Sequence, residues 1–291
     1  MPTPPAKITT LPQLPPRPLD GQKGLFGRVL VVGGNPVMLG APVLAGTAAL
    51  RMGAGLVQIA MPGAVLPAAL SVTPELIGIS TTGAKAEAEL DKAAERADAL
   101  VIGPGLSTSP AARRLVLRLI QLAKPVVIDA DALNILSAQK SWPKNFRGLA
   151  VLTPHPGEMA RLNKLLGREV VPSDEPGRIE LAHYAAVEFG QVVLLKGHRT
   201  IIADADRYRI NTTGNSALSK AGSGDVLSGI IGTLLAQKMP PFDAAALGAH
   251  IHGRAGELAS QIFGLRSPIA RDVIDKIHAA IAELEASDPG A

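Results

Sequence analysis

The sequence predicts an α/β protein built on a doubly wound, mostly parallel β-sheet flanked by helices. Short apolar runs of strand length alternate with longer Ala- and Leu-rich segments of helical length. Polar and glycine-rich clusters follow these apolar runs, as ligand-binding loops do at the carboxyl ends of parallel strands. The 291 residues show no internal repeat and no interior linker, so we expect a Pro-rich arm over residues 1–24 and a single domain over residues 25–288.

The predicted elements follow one another in a regular order. We expect parallel strands at residues 28–32, 56–60, 99–102, 125–129, 149–153 and 192–196, and a short antiparallel pair at 200–202 and 208–210. We expect helices at residues 41–52, 84–97, 109–123, 157–166, 175–189, 226–237, 241–262 and 270–286. Continuous Val- and Ile-rich runs are typical of strands that are buried on both faces of a sheet.

Composition restricts the class of function. Aromatic residues make up only 3% of the chain, and the net charge of +4 is not concentrated in a basic run, which argues against nucleic acid as a substrate. The chain has no cysteine, which excludes disulfides and thiolate catalysis. The N-terminus does not resemble a signal peptide and no apolar run has membrane length, so we expect a cytoplasmic protein without a membrane partner.

The stretch from residue 211 to residue 225 joins a predicted strand to an apolar helical run. Free N–H groups and the helix dipole at such a helix start attract anions, so we predict an anion hole at Gly222, Ser223 and Gly224. Asp225 falls in the first helical turn, where a carboxylate could take a proton from a hydroxyl that attacks phosphorus. A helix N-cap would explain Ser223 or Asp225 alone equally well.

Four further polar clusters follow predicted strands, at residues 103–106, 129–134, 153–158 and 196–200. Ordinary βα turns explain each cluster alone, but four at one edge of a sheet favour a shared cleft. Several side chains could help to hold water around Mg²⁺, although none is assigned as a direct metal ligand: Asp129, Asp131, Asn134 and Glu158. His250 and His252 lie on a predicted helix with no acid at metal-ligand spacing, so we expect structural roles for them.

These motifs together resemble the ADP- or ATP-dependent NAD(P)H-hydrate dehydratases, a branch of the ribokinase-like superfamily. Residues 211–215 and 220–225 are similar to the Gly-rich anion hole and catalytic Asp of that branch, and residues 153–158 to its most distinctive turn. Residues 33–57 are similar to its first βα unit, and the resemblance covers roughly residues 25–260. Asn35 stands where a Ser is usual and Ser216 where a Pro is usual, while Asp-Ala-Asp at 204–206 replaces a Pro-Asp-Gly turn.

The resemblance implies a ribokinase-like fold and a hydro-lyase that repairs damaged nicotinamide nucleotides. The S-epimer of C6-hydrated NADH or NADPH would be phosphorylated on its C6 hydroxyl by ADP or ATP, with Mg²⁺ present, and phosphate would then be eliminated. Asp225 would be the catalytic residue. The hydrated nucleotide would contact Ala41, Gly105, His155 and Asp225. ADP or ATP would contact Lys196, Gly197, His198, Arg199, Thr200 and Gly224. A homotetramer and a separate hydrate epimerase are further implications, since a Pro-rich arm is too short to hold an epimerase domain.

Two alternatives remain open on sequence grounds. A kinase of a small alcohol or vitamin precursor would share the fold, the anion hole and Asp225, but its reaction would stop at the phosphoester. A non-catalytic nucleotide-binding regulator would need no acid beside the phosphate, so Asp225 argues against it. The sequence does not choose between ADP and ATP.

Overall fold

The computed structural model describes residues 5–168 and 170–287, and the strands found there form one ten-stranded sheet. These are β1 (Ala6–Lys7), β2 (Arg28–Val32), β3 (Leu56–Met61), β4 (Ile77–Ser80), β5 (Ala99–Ile102), β6 (Val126–Ile128), β7 (Ala150–Leu152), β8 (Val192–Leu195), β9 (Ile201–Ala203) and β10 (Arg207–Ile210). Their order is β1-β10-β9-β8-β7-β6-β5-β2-β3-β4. Every neighbouring pair is parallel except the two pairs that involve β9. The predicted, mostly parallel sheet is confirmed.

Helices cover both faces of this sheet. They are α1 (Gly40–Arg51), α2 (Leu66–Val72), α3 (Ala86–Arg96), α4 (Pro110–Leu119), α5 (Ala130–Ser137), α6 (Trp142–Asn145), α7 (Pro156–Asn163), α8 (Glu175–Phe189), α9 (Ser223–Ala236), α10 (Pro241–Phe263) and α11 (Ala270–Ser287). Helices α1, α9, α10 and α11 belong to the core on one face, and α3, α4, α5, α7 and α8 to the core on the other. Among the described residues, no helix has the length and apolarity that a membrane crossing requires.

The two cores explain why the strands read as uninterrupted apolar runs. In β2, Val29 and Val31 belong to one core, while Leu30 and Val32 belong to the other. All four side chains are at most 1% exposed. A strand with apolar neighbours on both faces gains from burial at every position, so no polar alternation appears in its sequence.

Helix α9 is held close to α1 by small residues. A Cβ atom added at Gly229 would lie 2.0 Å from the carbonyl oxygen of Ala45, so only glycine permits this approach. Four residues further along, Thr233 donates a hydrogen bond of 3.2 Å to the carbonyl oxygen of Ala49. This contact fixes α9, and with it the position of the first turn that carries Asp225.

The N-terminal arm packs on its own chain. Strand β1 pairs with β10, and Arg209 donates hydrogen bonds of 2.6 and 2.7 Å to the carbonyl oxygens of Thr9 and Thr10. Residues 1–4 of the predicted arm and residues 169 and 288 of the predicted domain lie outside the described residues. The division of the chain at residue 24 stays a prediction.

Candidate active site

A cleft of about 780 Å³ opens where the loops after β8 and β10 meet α9 and α10. Its lining unites many of the residues that the sequence predicts for ligand binding: His155, Lys196, Gly197, His198, Arg199, Thr200, Ser223 and Gly224. The volume falls within the range of small-molecule sites in proteins. The predicted nucleotide-binding residues therefore do surround a single cavity of suitable size.

The anion-binding geometry arises at the start of α9. Gly222 is the N-cap residue and has φ of 89°, and a Cβ there would lie 2.8 Å from Leu44 Cδ1. Backbone strain and packing both require glycine at this position. Neither Ser223 nor Asp225 is the cap, so the capping alternative is wrong for these two side chains. The N–H of Ser223 donates a hydrogen bond of 3.3 Å to the carbonyl oxygen of Lys220. The N–H groups of Gly224 and Asp225 fall in the first turn, where the helix itself supplies no acceptor, and they can serve a ligand.

Asp225 is the third residue of α9, and the pKa of its carboxyl group is raised. Burial raises its pKa to about 7, the negative charge of Asp129 acts in the same direction, and the positive charge of Lys196 opposes both. Near neutral pH this carboxyl is therefore present in both protonation states. A carboxyl group that is protonated in some molecules and ionised in others at the working pH can accept a proton from a substrate hydroxyl and later release it.

Lys196 lies against the N-terminus of α9 and is surrounded by acids. Its Nζ atom is 2.8 Å from Asp129 Oδ1 and 3.7 Å from Glu158 Oε2. A Cβ atom added at Gly224 would lie 3.4 Å from the same Nζ atom. Burial lowers the pKa of Lys196, but Asp129, Glu158 and Asp225 more than offset that effect, so the pKa is raised overall. Lys196 therefore stays charged and adds to the positive potential of the helix start.

The loop that follows Lys196 is fixed by α8. Arg178 donates hydrogen bonds to the carbonyl oxygens of His198 (2.7 Å) and Leu195 (3.4 Å). Arg199 adopts φ of 54°, uncommon for a residue with a side chain, and pairs with Glu175. The loop thus presents its backbone to the cleft in one conformation.

His155 is the N-cap residue of α7 and contacts Glu158 twice. Glu158 Oε2 accepts a hydrogen bond of 2.8 Å from the backbone N–H of His155, and Oε1 lies 3.3 Å from its Nε2 atom. The Nδ1 atom of His155 accepts a hydrogen bond of 3.0 Å from Gly157 N–H. Burial raises the pKa of Glu158, and the charge of Lys196 counters part of that rise.

Ala41 and Gly105 do not line the cleft; they lie together at the point where the strand order reverses, between β2 and β5. A Cβ at Gly105 would be 3.2 Å from Ala41 Cβ and 2.6 Å from the carbonyl oxygen of Met38. Such reversal points form crevices at the carboxyl edge of open sheets. Asn35 donates a hydrogen bond of 2.9 Å to the carbonyl oxygen of Gly105, so this departure from the family pattern ties the two loops together.

His252 lines the cleft, although the sequence predicted only a structural role for it. Its Nε2 atom lies 3.1 Å from Ser223 Oγ in the predicted anion hole, and burial lowers its pKa to about 4. The contact arises because α10 packs on α9, and no local motif in the sequence signals that packing. A neutral imidazole therefore supports the hydroxyl at the start of α9.

The acids that were considered for Mg²⁺ are engaged with protein groups. Asp129 accepts from Lys196 and, at 2.8 Å, from Ser228 Oγ, while Asp131 accepts at 2.7 Å from Ser107 N–H. In the part of the chain that the structure describes, no group of three or more His, Cys, Asp or Glu side chains could hold a metal ion. A magnesium ion at this site would therefore be bound mainly by phosphate oxygens of the nucleotide and by water, which is common for Mg²⁺ in proteins.

Comparisons with known proteins agree with this geometry. A family model described as NAD(P)H-hydrate dehydratase matches residues 29–279. The ADP-dependent (S)-NAD(P)H-hydrate dehydratase of Neisseria meningitidis is 42% identical over 254 residues, covering 84% of this chain and 81% of that protein. The bifunctional NAD(P)H-hydrate repair enzyme Nnr of Moorella thermoacetica is 46% identical over 282 residues, covering 94% of this chain and 52% of that protein. The chain thus spans about half the length of such bifunctional relatives.

Solved structures show the same relationship. The ADP/ATP-dependent NAD(P)H-hydrate dehydratase of Bacillus subtilis, co-crystallised with ATP/Mg²⁺, has a TM-score of 0.81 and 31% identity, covering 94% of this chain and 95% of that chain. Hydroxyethylthiazole kinase from Pyrococcus horikoshii has a TM-score of 0.65 at 19% identity, covers 89% of this chain and 91% of that chain, and shows the fold alone. The predicted ribokinase-like fold is confirmed. The chain belongs to the NAD(P)H-hydrate dehydratase family.

Proposed function

We propose that this protein dehydrates the S-epimer of C6-hydrated NADH and NADPH at the expense of ADP or ATP. The observation that carries the proposal is Asp225, a partly buried carboxyl with pKa of about 7 in the first turn of α9, beside Lys196. A regulator that only binds nucleotide gains nothing from a proton acceptor there. The proposed substrate is based on the family relationship, and the proposed reaction type is based on the positions of Asp225 and Lys196.

The reaction begins with the nucleotide's terminal phosphate against the first-turn N–H groups of α9 and Lys196. Asp225 takes the proton of the C6 hydroxyl, and the hydroxyl oxygen attacks the terminal phosphorus. The phosphoanhydride bond breaks, and the nucleotide leaves with one phosphate fewer. The ring nitrogen then pushes out phosphate from C6 while C5 loses a proton, which restores the dihydropyridine. Positioning and electrostatic stabilisation account for most of the catalysis in such transfers.

The two ligands would occupy neighbouring subsites. We assign residues 196–200 and Gly224 to ADP or ATP, because they line the cleft beside the helix start. We assign Ala41, Gly105 and His155 to the hydrated nucleotide, with Asp225 at the junction. The position of Ala41 and Gly105 at the reversal of strand order supports this assignment.

We include Mg²⁺ in the proposal as an ion that enters with the nucleotide. When bound, it would neutralise part of the negative charge of the phosphates. The presence of ATP/Mg²⁺ in the crystals of the Bacillus subtilis relative supports its inclusion. Asp129, whose Oδ2 atom would lie 3.7 Å from a Cβ at Gly224, and Asp225 in the first turn of α9 would hold water around the ion.

Four apolar side chains that are about half exposed support the proposal of a homotetramer. They cluster along the chain at the end of α10 and before α11: Ile262, Phe263, Leu265 and Ile269. Patches of this kind are common at protein interfaces. A separate epimerase and a cytoplasmic location stay predictions.

The decisive experiment supplies hydrated NADH or NADPH with ADP or ATP and follows the absorbance of the restored dihydronicotinamide. We expect both hydrates to be repaired, with one phosphoanhydride consumed per hydrate. Repair without ADP or ATP would contradict the mechanism. Accumulation of a stable phosphoester from a small alcohol, with both hydrates untouched, would instead identify a kinase.

A further inference from the structure

One buried carboxylate touches both proposed subsites. Glu158 is 5% exposed, contacts His155 on the hydrate side through two atoms, and lies 3.7 Å from Lys196 Nζ on the nucleotide side. A capping box at the start of α7 would account for its bond to the backbone of His155. It would not account for the contacts with the imidazole and with Lys196.

The hydrogen bonds of His155 determine where its proton lies. Its Nδ1 atom accepts the N–H of Gly157 at 3.0 Å, so in the neutral ring the proton must be on Nε2. That Nε2–H group is 3.3 Å from Glu158 Oε1. The carboxylate therefore favours one tautomer and one orientation of the ring at the mouth of the cleft.

Lys196 does not depend on Glu158 in the same way. Asp129 Oδ1 lies 2.8 Å from Lys196 Nζ, closer than Glu158, and Asp129 is itself held by Ser228. Loss of the charge on Glu158 would leave Lys196 in place with one negative neighbour fewer. Lys196 would then be more available to the phosphates of a nucleotide.

We propose that Glu158 is a positioning residue that orients His155 for the nicotinamide nucleotide while it restrains the charge of Lys196 at the ADP or ATP subsite. This inference rests on the proposed function for the identity of the two ligands. It predicts that removal of the charge weakens binding at the nicotinamide subsite and does not weaken binding at the ADP or ATP subsite. A purely structural role in capping α7 would affect both in the same direction.

Glu158→Gln tests the idea with little change in size. The amide oxygen can still accept from the backbone N–H of His155, but the amide NH₂ then faces the Nε2–H group, which places two donors together. Binding is measured by calorimetry at pH 8, with NADPH as the product-side ligand and ADP as the nucleotide. We expect NADPH binding to weaken about tenfold, which is the order of the cost of one unfavourable polar contact at the imidazole, and ADP binding to be unchanged or tighter.

A matched control exists at α11, where Asp272 accepts a hydrogen bond of 2.8 Å from the N–H of Ile269 in the same capping geometry. Asp272→Asn should lower thermal stability to a similar extent as Glu158→Gln and leave the binding of both ligands unchanged. Equal weakening of NADPH and ADP by Glu158→Gln, or no change in either, would overturn the proposal.

Nitrogen-15 spectra of the imidazole groups provide a readout that needs no ligand. The signals of His155 are assigned by their absence from the spectrum of His155→Asn. In the native protein, the imidazole proton of His155 should lie on Nε2. In Glu158→Gln, this preference for Nε2 should be lost. A proton on Nδ1 in the native protein would overturn the inference. Failure of the native protein to repair any hydrate would count against the proposed function, while these binding and spectral results would still decide the role of Glu158.

Discussion

Replacement of Asp225 by Asn tests the proposed chemistry and the electrostatics of the site together. Asn has nearly the same shape but cannot accept a proton from the C6 hydroxyl. Loss of a general base costs about 10²–10⁴-fold in rate. Nucleotide binding should persist, because Lys196 and the N–H groups at the start of α9 are untouched.

The same change should make the protein more stable at high pH. The pKa of Asp225 is raised from 3.8 to about 7, so its ionisation disfavours the folded state. The favourable contribution of the protonated carboxyl is complete below pH 3.8 and is lost as pH rises through about 7. The difference corresponds to about 4 kcal/mol at most. Asn does not titrate, so the stability of Asp225→Asn relative to the native protein should increase progressively from pH 3.8 to about 7 and level off above that.

Two measurements check this prediction. Turnover of hydrated NADH with ADP gives the rate, and native activity should rise with pH through about 7 as Asp225 ionises. Urea unfolding at pH 5 and pH 8 gives the change in free energy of unfolding, with Asp272→Asn as a control that lies outside the cleft. Native-like turnover by Asp225→Asn would refute the assignment of the base. A variant less stable than the native protein at pH 8 would refute the electrostatic argument.

Two further substitutions test the nucleotide subsite and the packing beneath it. Lys196→Ala should weaken ADP binding much more than NADPH binding in separate calorimetric titrations, because its charge lies at the nucleotide subsite; equal losses would argue against separate subsites. Gly229→Ala should destabilise the protein by about 1–3 kcal/mol in urea unfolding, because the new Cβ would lie 2.0 Å from the Ala45 carbonyl oxygen. Gly40→Ala, where no atom lies within 4 Å of the added Cβ, should be near neutral, and similar stabilities for the two variants would refute the packing argument.

Sequence pattern predicted elements well where burial on both faces leaves a simple signature. The bounds of β2, β5 and α8 agree with the prediction. Helix α5 was missed because it follows β6 without a loop: Asp129 is its N-cap, and Ala130 turns the chain with φ of 49°. Strand β4 was missed because it is short, lies at the edge of the sheet, and contains Gly78 and the exposed Ile77.

The site was predictable only where its parts are local in sequence. The turn at Gly222 and the position of Asp225 follow from glycine and helix patterns alone. The contact of Lys196 with Asp129 spans 67 residues and depends on strand order, which no local pattern reveals. The partnership of His252 with Ser223 likewise depends on how two helices pack.

Burial and the charges around it together make Asp225 suited to act as the base. Three acidic side chains, Asp129, Glu158 and Asp225, contribute to the environment of one partly buried cation, Lys196. Asp129 has the shortest contact with Lys196, at 2.8 Å, and Glu158 is further bound to the backbone of His155. Burial of the Asp225 carboxyl and the negative charge of Asp129 raise its pKa to about 7, and Lys196 offsets only part of that rise. A general base is most effective when its pKa lies near the working pH, which this environment provides.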